Sequence, residues 1–319
     1  MVGDFCLDRY LEIDPERQEK SLETGLAVHN VVKVRPQPGG AGTVLNNLAA
    51  LGVGKIFPVG FAGEDGEGYE LRRELTARPG VSLDHFLQTR ERHTFTYCKP
   101  LVMEARKARR ELNRLDQKNW TPTPLSVVKR LRASVFELAG KVDAFAILSQ
   151  VDEPETGVCT REVLAAIKEV SLARPERVIV ADSRRSLRGF PPVIFKMNAG
   201  ELALLMKIAR LTNQQSILFA AGMLARRNAR PVFVTLAERG IIGASRDGEA
   251  EHMLALPLRG EIDIVGAGDA VLANLVASLA SGASMREALE LTNAAASIVI
   301  HQLGTTGTAS VQQLKDLVI

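Results

Sequence analysis

Glu261-Ile262-Asp263-Ile264-Val265-Gly266-Ala267-Gly268-Asp269-Ala270 runs directly into a helical pattern with Val271, Leu272, Leu275, Val276 and Leu279 on one face. A Gly-Ala-Gly turn at a helix start leaves backbone N–H groups without intrahelical acceptors, at the positive end of the helix dipole. Such a nest suits a phosphoryl group, whose oxygens carry negative charge. A carboxylate in the next position, Asp269, can take a proton from an attacking hydroxyl. Phosphoryl transfer asks mainly for positioning and charge stabilisation, with a metal. Taken alone, however, Gly266-Ala267-Gly268 also reads as a tight turn and Asp269 as a helix cap.

Working outward, the chain from Gly39 onward alternates short apolar runs with helical patterns. Lys55–Gly60, Asp143–Ser149, Arg177–Asp182, Val193–Met197 and Pro231–Leu236 read as buried strands. Thr43–Leu51, Thr121–Ala139, Thr160–Ala173 and Asn213–Asn228 read as helices. This rhythm predicts a mainly parallel sheet with helices on both faces, and such sheets bind ligands at the carboxyl ends of their strands. Two regions break the rhythm, about 8–36 and 92–116. Both have strand-like patterns and are expected to form a small β lid beside a single domain spanning 1–319. The basic run Arg106-Lys107-Ala108-Arg109-Arg110 reads first as a solvated turn and second as a phosphate-facing patch. At the start, Met1-Val2 leads straight into Gly3-Asp4, so an opening strand is either very short or begins upstream.

Composition removes several classes. The 319 residues carry a formal net charge of +3 and only 5% aromatics, which offers neither a nucleic-acid footprint nor stacking platforms. Three widely spaced cysteines (Cys6, Cys98, Cys159) suit a reducing cytoplasm and suggest neither a disulfide framework nor a zinc site. The five histidines lack metal-ligand spacing, and no run of 18 apolar residues marks a membrane span. There is no G-x-x-x-x-G-K-[ST], which excludes a P-loop. Val271 stands where a dinucleotide fingerprint would need its third glycine, which disfavours an NAD-binding oxidoreductase.

Asp263-Ile264-Val265-Gly266-Ala267-Gly268-Asp269-Ala270 resembles the D-T-V-G-A-G-D signature of the ribokinase-like (PfkB) carbohydrate kinases. Further motifs follow in that family's order. Pro38-Gly39-Gly40-Ala41-Gly42 with Asn46-Asn47-Leu48-Ala49-Ala50-Leu51-Gly52 is similar to its first signature, and Gly60–Gly68 to the G-x-x-G-x-D-x-x-G that continues it. Asn198-Ala199-Gly200-Glu201 resembles its N-x-x-E, and Thr235–Gly240 its T-L-G-x-x-G nucleotide loop. The resemblance covers nearly the whole chain. It implies an α/β three-layer sandwich with a mainly parallel central sheet and a small lid, an ATP-dependent kinase with an alcohol acceptor, and Mg²⁺.

The resemblance also implies roles. Asp269 would be the base, with Gly266, Ala267 and Gly268 as the anion hole. Asn198 and Glu201 would act around Mg²⁺ and the phosphates through water, although their spacing equally suits a helix capping box. Thr235, Leu236, Glu238 and Gly240 would line the nucleotide, with Ala237 replacing the usual glycine. Asn293 falls where relatives contact adenine, or is simply a polar residue on a helix introduced by the capping box Ser284-Met285-Arg286-Glu287. A monovalent cation, K⁺, is permitted beside Asp263 and Val265, with Val299, Gln302, Gly304 and Thr308 as the second half. Asp8 would hold two sugar hydroxyls, and Gly39 and Gly40 would let the chain approach the sugar. Thr43 stands where the family commonly has asparagine.

Within the family, Gly3-Asp4…Leu7-Asp8-Arg9-Tyr10, Val31-Val32-Lys33-Val34 and Asn113-Arg114-Leu115-Asp116 resemble the heptose-7-phosphate kinase branch, as in the kinase half of ADP-heptose synthases. Arg106, Arg109, Arg110, Arg184 and Arg185 could receive a substrate phosphate. Other sugars or sugar phosphates rank second and nucleosides third. The competing class is a sugar- or nucleotide-binding relative with weak turnover, which Thr43 and Ala237 keep open. The expected protein is cytoplasmic, with no nucleic-acid or membrane partner, and able to form a homodimer through the lid.

Overall fold

The computed structural model describes residues 1–104, 109–211 and 213–318, so Arg106, Lys107 and Ala108 of the basic run lie outside the described residues. The main sheet has seven strands in the order Val2–Gly3, Ala144–Ser149, Val178–Ser183, Ile194–Asn198, Val232–Thr235, Ile241–Ala244 and Ala250–Met253. The first five are parallel, Ile241–Ala244 pairs antiparallel with Val232–Thr235, and Ala250–Met253 pairs antiparallel with Ile241–Ala244. A parallel strand alternates its side chains between faces and must bury both. Ala146, Leu148 and Val180 accordingly pack with Val44, Leu45, Leu48, Leu272 and Val276 on one side. Phe145, Ile147, Ile179 and Ala181 pack with Leu131, Val135, Ile167 and Val170 on the other. Helices Ala41–Ala50 and Ala267–Ala280 supply the first layer, and Leu125–Ala139, Arg161–Ala173 and Gln214–Asn228 contribute to the second.

A separate mixed sheet forms the lid, with strand order Leu115–Gln117, Phe95–Val102, Phe5–Ile13 and Val31–Gly40, and Arg110–Glu111 beside Phe95–Val102. The segments 8–36 and 92–116 thus contribute strands outside the main sheet, although these begin at Phe5 and run on to Gly40. Asp8 consequently lies inside a nine-residue lid strand and does not follow a main-sheet strand. The chain leaves the main sheet at Gly3 and crosses at Asp4. The Asp4 carboxylate accepts N–H bonds from Gln150 (2.7 Å), Val151 (3.3 Å) and Val158 (2.6 Å), fixing the loop beyond Ser149.

Two sequence expectations change. Lys55–Gly60 forms only isolated bridges, Ile56 with Val81 and Val59 with Val2, and the regular strand is Gly60–Gly63. Pro58 lacks the N–H that a continuous ladder would need. The helix expected from Thr121 begins at Leu125, because Pro122 and Pro124 hold the preceding residues extended. By contrast, Thr160, Asn213 and Ser284 cap their helices as side-chain acceptors for the first turn. Among the described residues no helix is long and apolar enough to cross a membrane.

Candidate active site

Gly266 is the N-cap of helix Ala267–Ala280, at φ 85°, a left-handed conformation that a side chain would strain. The N–H of Ala267 turns back to the Ile264 carbonyl (3.2 Å). The next two N–H groups, those of Gly268 and Asp269, lie in the first turn, where a helix offers no acceptor. Lys196 sits beneath them: a Cβ at Gly268 would stand 3.1 Å from its Nζ. This lysine is buried in strand Ile194–Asn198 and pairs with Asp182 at 2.5 Å. Burial works against its charge, but the carboxylate of Asp182, with Asp269 and Glu201 beyond, outweighs burial and holds its pKa above the usual range.

Part of Asp269 faces the cleft, yet desolvation by the surrounding protein pushes its carboxyl up to about 7. Lys196 pulls against that rise, while Asp182 and Asp8 add to it. A carboxyl titrating near neutrality beside unpaired N–H donors is suited to general-base work on a hydroxyl.

The lid supplies the facing wall. Side chains of a strand alternate, so Cys6, Asp8 and Tyr10 share one face of Phe5–Ile13. Lys99, from the parallel neighbour Phe95–Val102, pairs with Asp8 at 3.0 Å and lies over the Tyr10 ring. Asp8 is buried and Lys99 partly so, and burial raises the Asp8 pKa against the pull of Lys99. Gly39 makes this packing possible, because a Cβ there would come within 2.8 Å of both Asp8 Oδ2 and Cys6 Sγ. Gly40 begins the turn into helix Ala41–Ala50. Thr43, in that helix, is buried with its hydroxyl toward the Pro38 carbonyl (3.4 Å) and its methyl toward Gly266. Farther out, Arg114 lies over the Tyr97 ring, and Lys118 and Arg184 share Asp152 at 2.9 and 3.6 Å.

The residues expected to line a nucleotide gather at adjacent strand ends. Asn198 and Thr235 are direct partners in the parallel ladder. Asn198 and Glu201 form a reciprocal capping box (2.7 and 2.9 Å), so the local structural role is real whatever else they contact. Leu236 closes a turn by donating its N–H to the Gly240 carbonyl (2.8 Å), leaving Ala237 at φ 54° and Glu238 exposed. Asn293 donates its side-chain amide to the Leu254 carbonyl (2.6 Å), which joins its helix to the loop packed against Gly240.

The two halves expected around a monovalent cation do meet. Asp263 accepts from the N–H of Val265 (3.0 Å) and of Gly304 (3.1 Å), tying the stretch before the glycine turn to the loop after Ile300. In that loop, Gln302 is bonded at both ends of its amide to Thr308. The Gln302 N–H bonds the Val299 carbonyl. Gln37 reaches from the lid to Thr305 (3.1 Å). Sequence reading missed Lys196, Asp182 and Lys99. A lysine inside the apolar run Val193–Met197 was the available signal, since a buried ammonium requires a carboxylate partner.

A family model described as pfkB family carbohydrate kinase matches residues 5–312. Among curated proteins, the bifunctional protein HldE of Azorhizobium caulinodans is 31% identical over 306 residues, covering 96% of this chain and 61% of its own. That of Gluconacetobacter diazotrophicus is 30% identical over 317 residues, covering 99% and 63%. The chain therefore spans about three fifths of the length of these relatives. Among solved structures, Arabidopsis thaliana ribokinase complexed with ribose and ATP superposes with TM-score 0.69 at 19% identity, covering 99% of this chain and 96% of that one. Escherichia coli phosphofructokinase-2 in complex with fructose-6-phosphate gives TM-score 0.70 at 18% identity, with the same coverage. These structures share the fold.

Proposed function

Because this chain belongs to the pfkB family of carbohydrate kinases, phosphotransferases with an alcohol acceptor, we propose that it transfers the γ-phosphoryl group of ATP to a hydroxyl of a heptose 7-phosphate. The observation that carries the reading is Asp269, a carboxyl with pKa about 7 at the start of a glycine-turned helix and facing a lid wall of Asp8 and Lys99. Asp269 takes the proton of the acceptor hydroxyl as its oxygen attacks phosphorus and the bond to ADP breaks. The N–H groups of Gly268 and Asp269, with Lys196 below, stabilise charge on the transferring group. Asp8 accepts hydrogen bonds from two sugar hydroxyls, and Lys99 favours the charged form of that carboxylate against its burial.

Magnesium would supply charge neutralisation on the phosphates. It keeps most of its water shell and needs few carboxylates, so the half-buried Glu201, with Asn198, fits a water-mediated role. For K⁺, the carbonyls of Val265 and Val299 are the candidate ligands, with Asp263 tying the stretch before the glycine turn to the end of helix Met285–Ile300 and the loop after it. The heptose 7-phosphate reading is supported by relatives named HldE and by the segments 3–10, 31–34 and 113–116. Two copies pairing through the lid belong to the same proposal. The outer lid strand exposes Val31, Val32 and Val34, and sedimentation of a monomer at all working concentrations would remove that part.

The test is ATP consumption across sugars, sugar phosphates and nucleosides. The expected result is highest kcat/KM with heptose 7-phosphate. A preference for unphosphorylated sugars or nucleosides would overturn the substrate, and no turnover with any acceptor would favour a binding protein.

A further inference from the structure

The lid sets one row of side chains toward the cleft. Asp116, Tyr97, Asp8 and Gln37 are direct partners across its four strands, and partners in a sheet project from the same face. With neighbouring strands roughly 5 Å apart, Asp116 lies about 10 Å from Asp8 along this row. At one end of the row Gln37 is joined to Thr305 (3.1 Å), which ties the lid across the cleft there. The other end leads from Asp8 past Tyr97 to Asp116.

That second end is rich in cations. Alternation puts Arg114 and Lys118, which flank Leu115–Gln117, on the same side as Asp116. Both reach the buried Tyr97 ring, the Arg114 guanidinium 5.3 Å from its centre and the Lys118 ammonium 5.9 Å. Arg114 also pairs with Asp116 (2.8 Å). From the main domain, Arg184 follows strand Val178–Ser183, with its N–H on the Ser149 carbonyl (2.9 Å). Its guanidinium stands 3.6 Å from one oxygen of Asp152, and Lys118 stands 2.9 Å from the other. The hydrogen bond from Lys118 holds the Asp152 carboxyl below its usual range, and the charges of Lys118, Arg184 and Arg114 act in the same direction. Like charges gathered in this way repel, and an anion between them relieves the repulsion. Asp152 is that anion, yet its side chain is half exposed (49%) and lies just past the segment that the Asp4 carboxylate fixes. It can turn out to water while the lysine, half as exposed, stays in place.

We propose that Arg114, Lys118 and Arg184 form a site for a phosphate dianion on the acceptor, and that Asp152 is an internal anion which that phosphate displaces. A phosphate brings more charge and more acceptor oxygens than a carboxylate, and guanidinium groups bind it through paired N–H donors. An acceptor without a phosphate leaves Lys118 bonded to Asp152, so selection comes from exchanging one anion for another. The role in selecting the acceptor rests on the reading above that the acceptor carries a phosphate; the anion site does not.

The experiment titrates inorganic phosphate into the full chain at pH 8 and constant ionic strength, followed by calorimetry, for the unaltered protein, Asp152→Asn, Lys118→Gln and Arg184→Gln. Phosphate held at the glycine turn before Asp269 is common to all four and drops out of the differences. Asp152→Asn is expected to tighten binding by roughly 3–10-fold, and the two cation variants to weaken it by about fivefold or more. The KM for heptose 7-phosphate should move in the same directions, while the KM for unphosphorylated heptose stays within about twofold. Phosphate Kd values equal within about twofold in all four proteins, or weaker binding in Asp152→Asn, would overturn the site whatever the acceptor proves to be. The expected phosphate shifts in a protein that prefers unphosphorylated acceptors would support the anion site and overturn the heptose 7-phosphate reading alone.

Discussion

The two walls of the cleft are built on different principles. The wall on the lid, where the proposal seats the acceptor, consists of side-chain charges held by one another, the buried Asp8 with Lys99 over the Tyr10 ring. The facing wall, where the proposal seats the nucleotide and which is called the nucleotide wall below, consists of strand ends and turns, with Asn198 and Glu238 exposed, Ala237 at positive φ, and Asn293 spent on a backbone carbonyl. Buried charge pairs fix a few directions tightly, and removing one partner is costly. Backbone turns spread their work over many small contacts. Substitutions should therefore act strongly and selectively on the first wall and weakly on the second, with Asp269 between them.

Asp269→Asn is expected to have the largest effect, lowering kcat by on the order of 10²–10⁴-fold while ATP still binds. In the unaltered protein, kcat should fall as pH drops through about 7, where Asp269 takes up its proton. Stability moves the other way. The folded pKa is above the ordinary Asp value of 3.8, so the charged carboxyl destabilises the fold increasingly as pH rises from about 4 to 7. Asparagine removes that penalty. A gain of about 1–3 kcal/mol is expected at pH 8, discounted for partial exposure, and none at pH 4. Denaturant unfolding at the two pH values measures it. Near-normal turnover in the variant would remove Asp269 from the chemistry.

Asp8→Ala comes next. Losing charged hydrogen bonds worth about 1.5–3 kcal/mol each should raise the acceptor KM, or lower kcat/KM, by roughly 10–150-fold. The KM for ATP should stay within about threefold, because Asp8 belongs to the lid and the nucleotide wall does not. Steady-state kinetics with one substrate saturating at a time separates the two constants. A rise in the ATP constant with the acceptor untouched would break the division between the walls.

The same division explains what could be read from sequence. The backbone geometry of the strand-end wall was legible because turns leave local traces: the caps at Asn198 and Ser284, the glycines at 240 and 266, and the alternation of strands and helices all act within a few residues. The parallel sheet followed from that alternation, except where Pro58 broke an apolar run that otherwise looked like a strand. The geometry of the lid wall was only half legible. Asp8 stood out by motif, but its partner is 91 residues away, and pairing across lid strands depends on register that no local pattern fixes. Lys196 and Asp182 were hidden for the same reason, being neighbours only once their strands lie side by side in the sheet.

Ala237→Gly should show the smallest effect and is the finest test of the nucleotide wall. Ala237 is exposed and sits at φ 54°, where a Cβ costs about 1–2 kcal/mol relative to glycine. Glycine relieves that strain but gains about 0.4–1 kcal/mol of freedom in the unfolded chain, so the net stabilisation should be under about 1.5 kcal/mol. The turn itself is closed by Leu236 N–H to the Gly240 carbonyl and Gly240 N–H to the Ala237 carbonyl, neither of which needs the methyl group. If backbone geometry alone presents this wall to the nucleotide, the ATP KM should change by less than about threefold and the acceptor KM not at all. A tenfold change in the ATP constant would mean that the Ala237 side chain itself shapes the nucleotide site. An equal change in the acceptor constant would mean that the two walls are coupled through the cleft.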